Sequence, residues 1–406
     1  MKYAIIIPDG CADLPIDALG GLTPMQAAKT PNLDALAKIG RVGQTCYVPK
    51  GMPPGSDVAT LGLLGYDPRL YYTGRAPLEA VAQGMTLTAD DWAIRCNFVT
   101  VQNETMVSFS AGHISSEESV ELIETLNREL VPTLSTPCTF YASVSYRNLA
   151  VVRQGDLFDS TTKTAPPHDY ADKPVHPAKP TGKGNEFLYE IYVKSGEFLR
   201  DHPINQSRVN GEKLPATHIW PWGQGQVPQL PKFADQFREH AGQLRGGMIT
   251  AVDLLRGIAK LIGWETIDVP GATGYIDTDY AAKGRYAADA LTRLDVVCVH
   301  VEAPDEAGHI GSYEKKILTL EEIDAKVIPP VLHALQKFDE WRLFVSPDHP
   351  TPVATKTHNA APVPWLMAGD DISASGATTY CERTGAVSRF STTDGWSLIR
   401  RFIVPE

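Results

Sequence analysis

The chain has 406 residues, is 43% hydrophobic and 21% charged, and carries a formal net charge of −11, a globular composition with room for two domains or one large domain with an insertion. The acidic balance argues against nucleic acid or a membrane as partner, because both reward clustered Lys and Arg, and leaves a small-molecule substrate. Six scattered cysteines without a C-x-x-C pair, a short opening apolar stretch and no run near the length of a spanning helix point to the cytoplasm.

Short β-branched runs alternate with amphipathic stretches along the chain. Tyr3 to Ile7 reads as a buried strand, Asn32 to Lys38 as a helix entered through Thr30-Pro31, Asp57 to Leu64 as a helical run, and Trp92 to Val101 as a strand. Ser115 with Glu118 forms a capping-box signal for a helix through Leu130. Two hairpin strands, Thr139 to Val144 and Asn148 to Val152, follow. The Pro- and Gly-rich stretch 164–184 can continue neither element and reads as a linker back to the main sheet. Then come strand Met248 to Thr250, helix Val252 to Ile262, strand Glu265 to Val269 and helix Tyr280 to Leu294. Strand Asp295 to Val301, helix Tyr313 to Lys326, and strands Trp341 to Val345 and Val363 to Met367 complete the set. The alternation predicts an α/β fold: a mostly parallel sheet with helices on both faces, formed by 1–111 and 183–406, with a small α+β domain inserted at 112–182.

In such sheets ligands bind beyond the carboxyl ends of the strands, and metal-type side chains gather there. Asp9 follows "AIIIP", Asp305 and His309 follow "VVCVHVEAP", Asp348 and His349 follow "LFVSP", and His358 lies nine residues further on. Carboxylates and imidazoles without thiolates suit Mn²⁺, Mg²⁺ or Zn²⁺. Singly, each residue also fits a plainer role: Asp9 a turn before Gly10, Asp305 and His309 a helix start with a partly buried His, Asp348 and His349 a solvated loop, His358 a hydrogen-bonded loop histidine. Ser56, between Gly55 and a helical run, sits where unsatisfied N–H groups favour an alkoxide or a phosphate; it equally fits a helix N-cap.

These residues carry a family resemblance. "PDG" with Asp9, "KTPNLDALAKIG", "GSDVA" with Ser56, "APDEAGH", "PDH" and "HNAAPVP" resemble the metal-dependent alkaline phosphatase superfamily, and within it the archaeal-type cofactor-independent phosphoglycerate mutases. "GYDPRLYYTGRAPLEA", "IRCNFVTV", "GEKLPATHIWPWGQG", "VDLLRGIAKLIG" and "VPGATGYIDTDY" extend the likeness over nearly the whole chain. The resemblance implies an alkaline phosphatase-like fold and two divalent ions, manganese first and magnesium, cobalt or zinc as other candidates. One ion would be held by Asp9, Ser56, Asp348 and His349, the other by Asp305, His309 and His358. It further implies interconversion of 2-phosphoglycerate and 3-phosphoglycerate through phosphorylated Ser56, without 2,3-bisphosphoglycerate.

An anionic substrate calls for basic partners. The sequence offers Arg208, Arg245 and Lys283, with the pair His168 and Asp169 in the linker; Arg75 reads as structural. Other readings are a phosphomonoester hydrolase or another phosphomutase with the same metal core, and a metal-stabilised binding protein. A purely structural metal would leave Ser56 without a task. The inserted domain is expected to cover the substrate.

Overall fold

The structure, a computed structural model, describes residues 1–404. It divides into two compact units, one made of Met1–Tyr72 with the chain from Gln229 onward, the other of Thr73–Pro228.

The first unit is built on a seven-stranded sheet in the spatial order Arg41–Thr45, Val363–Gly369, Trp341–Val345, Lys2–Pro8, Val296–Val301, Gly246–Ile249, Glu265–Thr266. Four of the six pairings are parallel, and only Val363–Gly369 runs against the rest. Alternate side chains of a strand face opposite sides. In the central strands nearly every residue is buried, so both faces are covered, and continuous apolar runs such as "AIII" and "VVCV" are the result. The expected strand Glu265 to Val269 shrinks to Glu265–Thr266, and the helix expected to reach Leu294 stops at Ala290.

Register, rather than topology alone, brings the strand ends together. Ile7 pairs with His300 and Pro8 with Val301, while Ile6 pairs with Val345 on the other side. The Asp9 N–H continues the ladder onto Val301 O at 3.0 Å and the Ser346 N–H onto Ile6 O at 3.1 Å. Parallel strands end on the same edge. The residues that follow Pro8, Val301 and Val345 therefore share one rim.

Below that rim lies a buried ion pair. Lys316 and Asp13 both have fully buried side chains 2.9 Å apart, and Lys316 Nζ also donates to Ala12 O at 3.3 Å and Thr351 O at 2.7 Å. Removing one partner of such a pair strands the other charge in a low-dielectric interior. Lys316→Met is expected to destabilise the first unit by about 3–5 kcal/mol, read from the midpoint of urea unfolding.

The second unit is antiparallel. Asp91–Gln102 pairs with Thr105–Ser108, Arg147–Arg153 and His218–Gln226, and Cys138–Tyr141 pairs with Arg147–Arg153. Helices Ser116–Thr125 and Asn185–Arg200 contribute Leu122, Leu188 and Ile191 to a core with Ile94, Phe98, Phe140 and Val152. The capping box predicted at Ser115 and Glu118 is formed. The boundaries at 112 and 182, however, fall inside this unit. Asp91–Gln102 belongs to its sheet, and the chain after 184 remains in it through Asn185–Arg200 and His218–Gln226. The reason is His218–Gln226 itself, "HIWPWGQGQ", whose Pro and Gly residues mark a non-strand in sequence. Gly225 is required there: a Cβ would lie 2.2 Å from Thr73 O.

Among the described residues no helix is long and apolar enough to cross a membrane.

Candidate functional site

Each strand end delivers its side chain to the rim of the first unit. Asp9 follows Lys2–Pro8; His300 lies in Val296–Val301 and Glu302 just beyond it; helix Ala303–His309 carries Asp305 and His309 one turn apart; Asp348 and His349 follow Trp341–Val345. Gly10 makes the close approach feasible. It has φ +60°, and a Cβ there would stand 2.4 Å from Asp305 Oδ1 and 2.6 Å from Thr351 Oγ1, so a side chain would push Asp305 out of place.

Ser56 is the first residue of helix Ser56–Leu63. Gly55 occupies the N-cap position and no side chain caps the helix, so the capping role open to Ser56 in the sequence is not the one it takes. Its hydroxyl lies 3.2 Å from Asp9 Oδ2 and 3.2 Å from His349 Nε2. The remaining groups close around it. His349 Nε2 is 3.5 Å from Asp9 Oδ1 and 3.4 Å from Asp348 Oδ2. Asp305 is 3.1 Å from His309 Nε2 and 3.4 Å from His358 Nε2, and the two Nε2 atoms are 3.0 Å apart. All seven metal-type residues predicted from sequence thus converge.

Proton placement shows what this convergence suits. His309 Nδ1 faces Lys356 O at 3.0 Å, a carbonyl that can only accept, so Nδ1 carries a proton and a neutral ring turns the Nε2 lone pair toward Asp305 and His358. Thr351 donates its hydroxyl proton to Asp305 and lies 3.3 Å from His349 Nδ1. It therefore accepts from Nδ1–H, and the His349 Nε2 lone pair faces Ser56 and the carboxylates. Ser56 has one proton for two acceptors. Asp9 Oδ1, Asp348 Oδ2 and Glu302 Oε2 are buried without a hydrogen-bond partner. Lone pairs and anionic oxygens crowded together in this way are costly unless a cation lies among them. Three groupings have ligand atoms within 4.8 Å of one another: Asp305, His309 and His358; Asp9, Asp305 and His349; and Asp9, His300 and Glu302. The donor set fits divalent cations.

The electrostatics show the same crowding, although at His309 they favour a second proton, on Nε2 toward Asp305, which a bound cation would displace. Burial, with the nearby Asp348 and Asp305 charges, pushes the Asp9 carboxyl well above its usual range. Burial does the same to Glu302, with Asp9 adding to it. Burial alone would raise Asp305, but hydrogen bonds from His309 and His358 outweigh it and hold that carboxyl well below its usual range. His309 shows the reverse balance: burial would lower it, and Asp305 lifts it to about 9. Burial pushes His349 and His300 down, toward the neutral ring.

The expected basic substrate groups fare differently. Arg208 is buried and spent on Leu214 O at 2.9 Å, Ala111 O at 2.7 Å and Glu118; it ties the second unit together. Arg245 precedes Gly246–Ile249 and pairs with Asp295 at 3.0 Å, at the amino ends of the strands and so on the edge opposite the site. Lys283 is fully buried, donates to His300 O at 3.1 Å, and is brought down to about 8 by burial. It supports the strand end and offers no surface to a substrate. His168 and Asp169 are exposed in the second unit, 3.8 Å apart, with the His168 ring edge-on to Trp222 and Phe109.

Sequence reasoning missed His300 and Glu302. Both read as part of a buried strand and its exit, and the available signal was a histidine and a carboxylate in an otherwise apolar "VVCVHVEAP". A groove of 1020 Å³ between residues Leu22–Val42 and Ser375–Arg389 contains none of the rim side chains; convergence of candidate ligands, rather than concavity, marks the candidate site.

Comparison with known proteins gives the same direction. Residues 37–205 match the family model described as 2,3-bisphosphoglycerate-independent phosphoglycerate mutase. A protein of that name from Methanothrix thermoacetophila is 44% identical over 404 residues, covering 99% of this chain and 100% of its own. A second from Methanothermobacter thermautotrophicus is 48% identical over 385 residues, covering 95% of this chain and 92% of its own. Among solved structures, a Pyrococcus horikoshii protein superposes with a TM-score of 0.80 at 29% identity, covering 99% of this chain and 96% of that one. With full-length likeness at this identity added to the convergent rim, the chain belongs to the 2,3-bisphosphoglycerate-independent phosphoglycerate mutase family.

Proposed function

We propose that the protein interconverts 2-phosphoglycerate and 3-phosphoglycerate through a phosphoserine at Ser56, with two divalent cations held at the rim. The observation that carries this reading is Ser56 Oγ, uncapped at a helix start and within 3.2 Å of both Asp9 and His349. Asp9, Ser56, Asp348 and His349 would hold one cation, and Asp305, His309 and His358 the other. Bound there, the cations lower the hydroxyl pKa and neutralise the phosphoryl oxygens. Manganese is the first choice that the family resemblance implies, with magnesium, cobalt or zinc as alternatives that the oxygen and nitrogen donor set also admits.

Ser56 Oγ forms the new bond to phosphorus as the bond from phosphorus to the glycerate oxygen breaks. The Ser56 proton leaves through Asp9 Oδ2 and is returned to the departing oxygen. The helix N-terminus presents N–H groups to the anionic phosphoryl group. The second half is the reverse, with the other glycerate hydroxyl as nucleophile. Because Ser56 stores the phosphoryl group, no 2,3-bisphosphoglycerate is needed. Retaining glycerate and excluding water between the halves is the task we assign to Thr73–Pro228. The six cysteines form no disulfide, which fits a reducing cytoplasm.

The test is a coupled assay of 2-phosphoglycerate formation from 3-phosphoglycerate. Activity is expected to vanish after chelation and to return with Mn²⁺, since no side chain at the rim replaces a Lewis acid. Full activity in chelated, metal-free protein would exclude the cation-assisted reading.

A further inference from the structure

The two oxygens of Asp9 are treated unequally. Oδ2 receives His300 Nε2 at 2.8 Å and the Ser56 hydroxyl at 3.2 Å, whereas Oδ1 is buried, has no hydrogen-bond partner and lies 3.5 Å from His349 Nε2. Something must decide which oxygen is occupied, because a carboxylate turns readily about its terminal torsion.

His300 is fully buried and held at both ends. Its Nδ1 lies 3.1 Å from Thr250 Oγ1, and that hydroxyl already accepts the Val252 N–H at 3.1 Å, just before helix Asp253–Leu261. A hydroxyl that has accepted one bond still has its own proton to give. Donating it to Nδ1 leaves the single proton of a neutral ring on Nε2, aimed at Asp9 Oδ2. The backbone is fixed as well: Lys283 Nζ donates to His300 O at 3.1 Å, and His300 sits in register with Ile7, two residues before Asp9. A directed chain thus runs from the Val252 N–H through Thr250 and His300 to the carboxylate that touches Ser56.

We propose that His300 is a positioning residue: its Nε2–H, set by Thr250, engages Asp9 Oδ2 and so presents Oδ1 to the cation site. The inference rests on the reading above only in taking Asp9 as a cation ligand. Hydrogen bonds that orient a ligand in this way govern affinity without adding a ligand.

The experiment is Mn²⁺ titration of chelated full-length protein, read by calorimetry and by the number of ions bound at saturation. Circular dichroism of each variant establishes folding. His300→Leu is expected to weaken one Mn²⁺ by about 10–100-fold, the usual scale for losing such a partner, with the ion count at saturation unchanged. His300→Gln, which keeps an N–H near the Nε2 position, is expected to recover most of that affinity. Thr250→Val leaves His300 in place but frees its tautomer, and is expected to weaken the same Mn²⁺ by less than His300→Leu. Native affinity in His300→Leu, or equal weakening in the Leu and Gln variants, would overturn the inference, as would one ion fewer at saturation, which would make His300 a direct ligand. Native protein that binds no Mn²⁺ would instead overturn the cation reading itself.

Discussion

Ser56→Ala is expected to leave a folded protein whose mutase activity is down by roughly 10⁴- to 10⁶-fold, the scale on which loss of a covalent nucleophile acts. Folding should survive because Ser56 caps no helix and alanine suits a helical position. The six other residues proposed to hold the cations remain, so cation binding should weaken without disappearing. Rapid quench of the native protein with labelled substrate should place the phosphoryl group on the peptide containing Ser56, and the alanine variant should carry none. Substantial turnover by Ser56→Ala would remove the phosphoserine from the mechanism.

The second large effect concerns the fate of that phosphoryl group. Mutase and phosphatase share the phosphoserine and differ in whether glycerate or water receives it. Replacing Thr73–Pro228 by a short Gly/Ser linker is expected to reduce isomer formation by orders of magnitude while slow phosphate release from Ser56 persists or rises. Exclusion of water is the property proposed for the segment removed. The cut must fall at these residues: the narrower segment 112–182 contains Cys138–Tyr141 and Arg147–Arg153 but leaves Asp91–Gln102, the other partner of Arg147–Arg153, behind, exposing half a core. The measurement is the ratio of isomer to inorganic phosphate, in a variant whose near-ultraviolet spectrum shows the first unit folded. Normal isomerisation would show that Thr73–Pro228 is dispensable for retention of glycerate.

The parallel sheet and the places of Asp9, Asp305, Asp348 and His349 were legible because each follows an apolar run, and a run buried on both faces is the plainest periodicity a sequence carries. His300 was not, because a histidine inside such a run looks like part of it until the register sets it beside Ile7. The inserted unit was misjudged at both ends for a related reason. His218–Gln226 is a strand whose prolines and glycines are tolerated by long-range pairing with Asp91–Gln102, and local pattern contains no trace of a partner over a hundred residues away. Arg208 and Arg245 illustrate the same limit for charge. Their partners, Glu118 and Asp295, are distant in sequence, so a cation that completes an internal pair cannot be told from one that waits for a substrate.

The central place of Lys2–Pro8 has a price in time. It is synthesised before the other strands of its sheet, yet both neighbours come late: Tyr3 pairs with Val296, and Lys2 with Trp341. At ordinary rates of synthesis the stretch "YAIII" must wait on the order of 15–60 s before its lateral partners exist. During that interval it is an unpaired, uncharged, β-prone segment, the kind that sticks to other chains. Nascent protein should therefore depend on holding chaperones far more than the finished fold does, and crowding of polysomes, rather than weakness of the native state, should limit its yield.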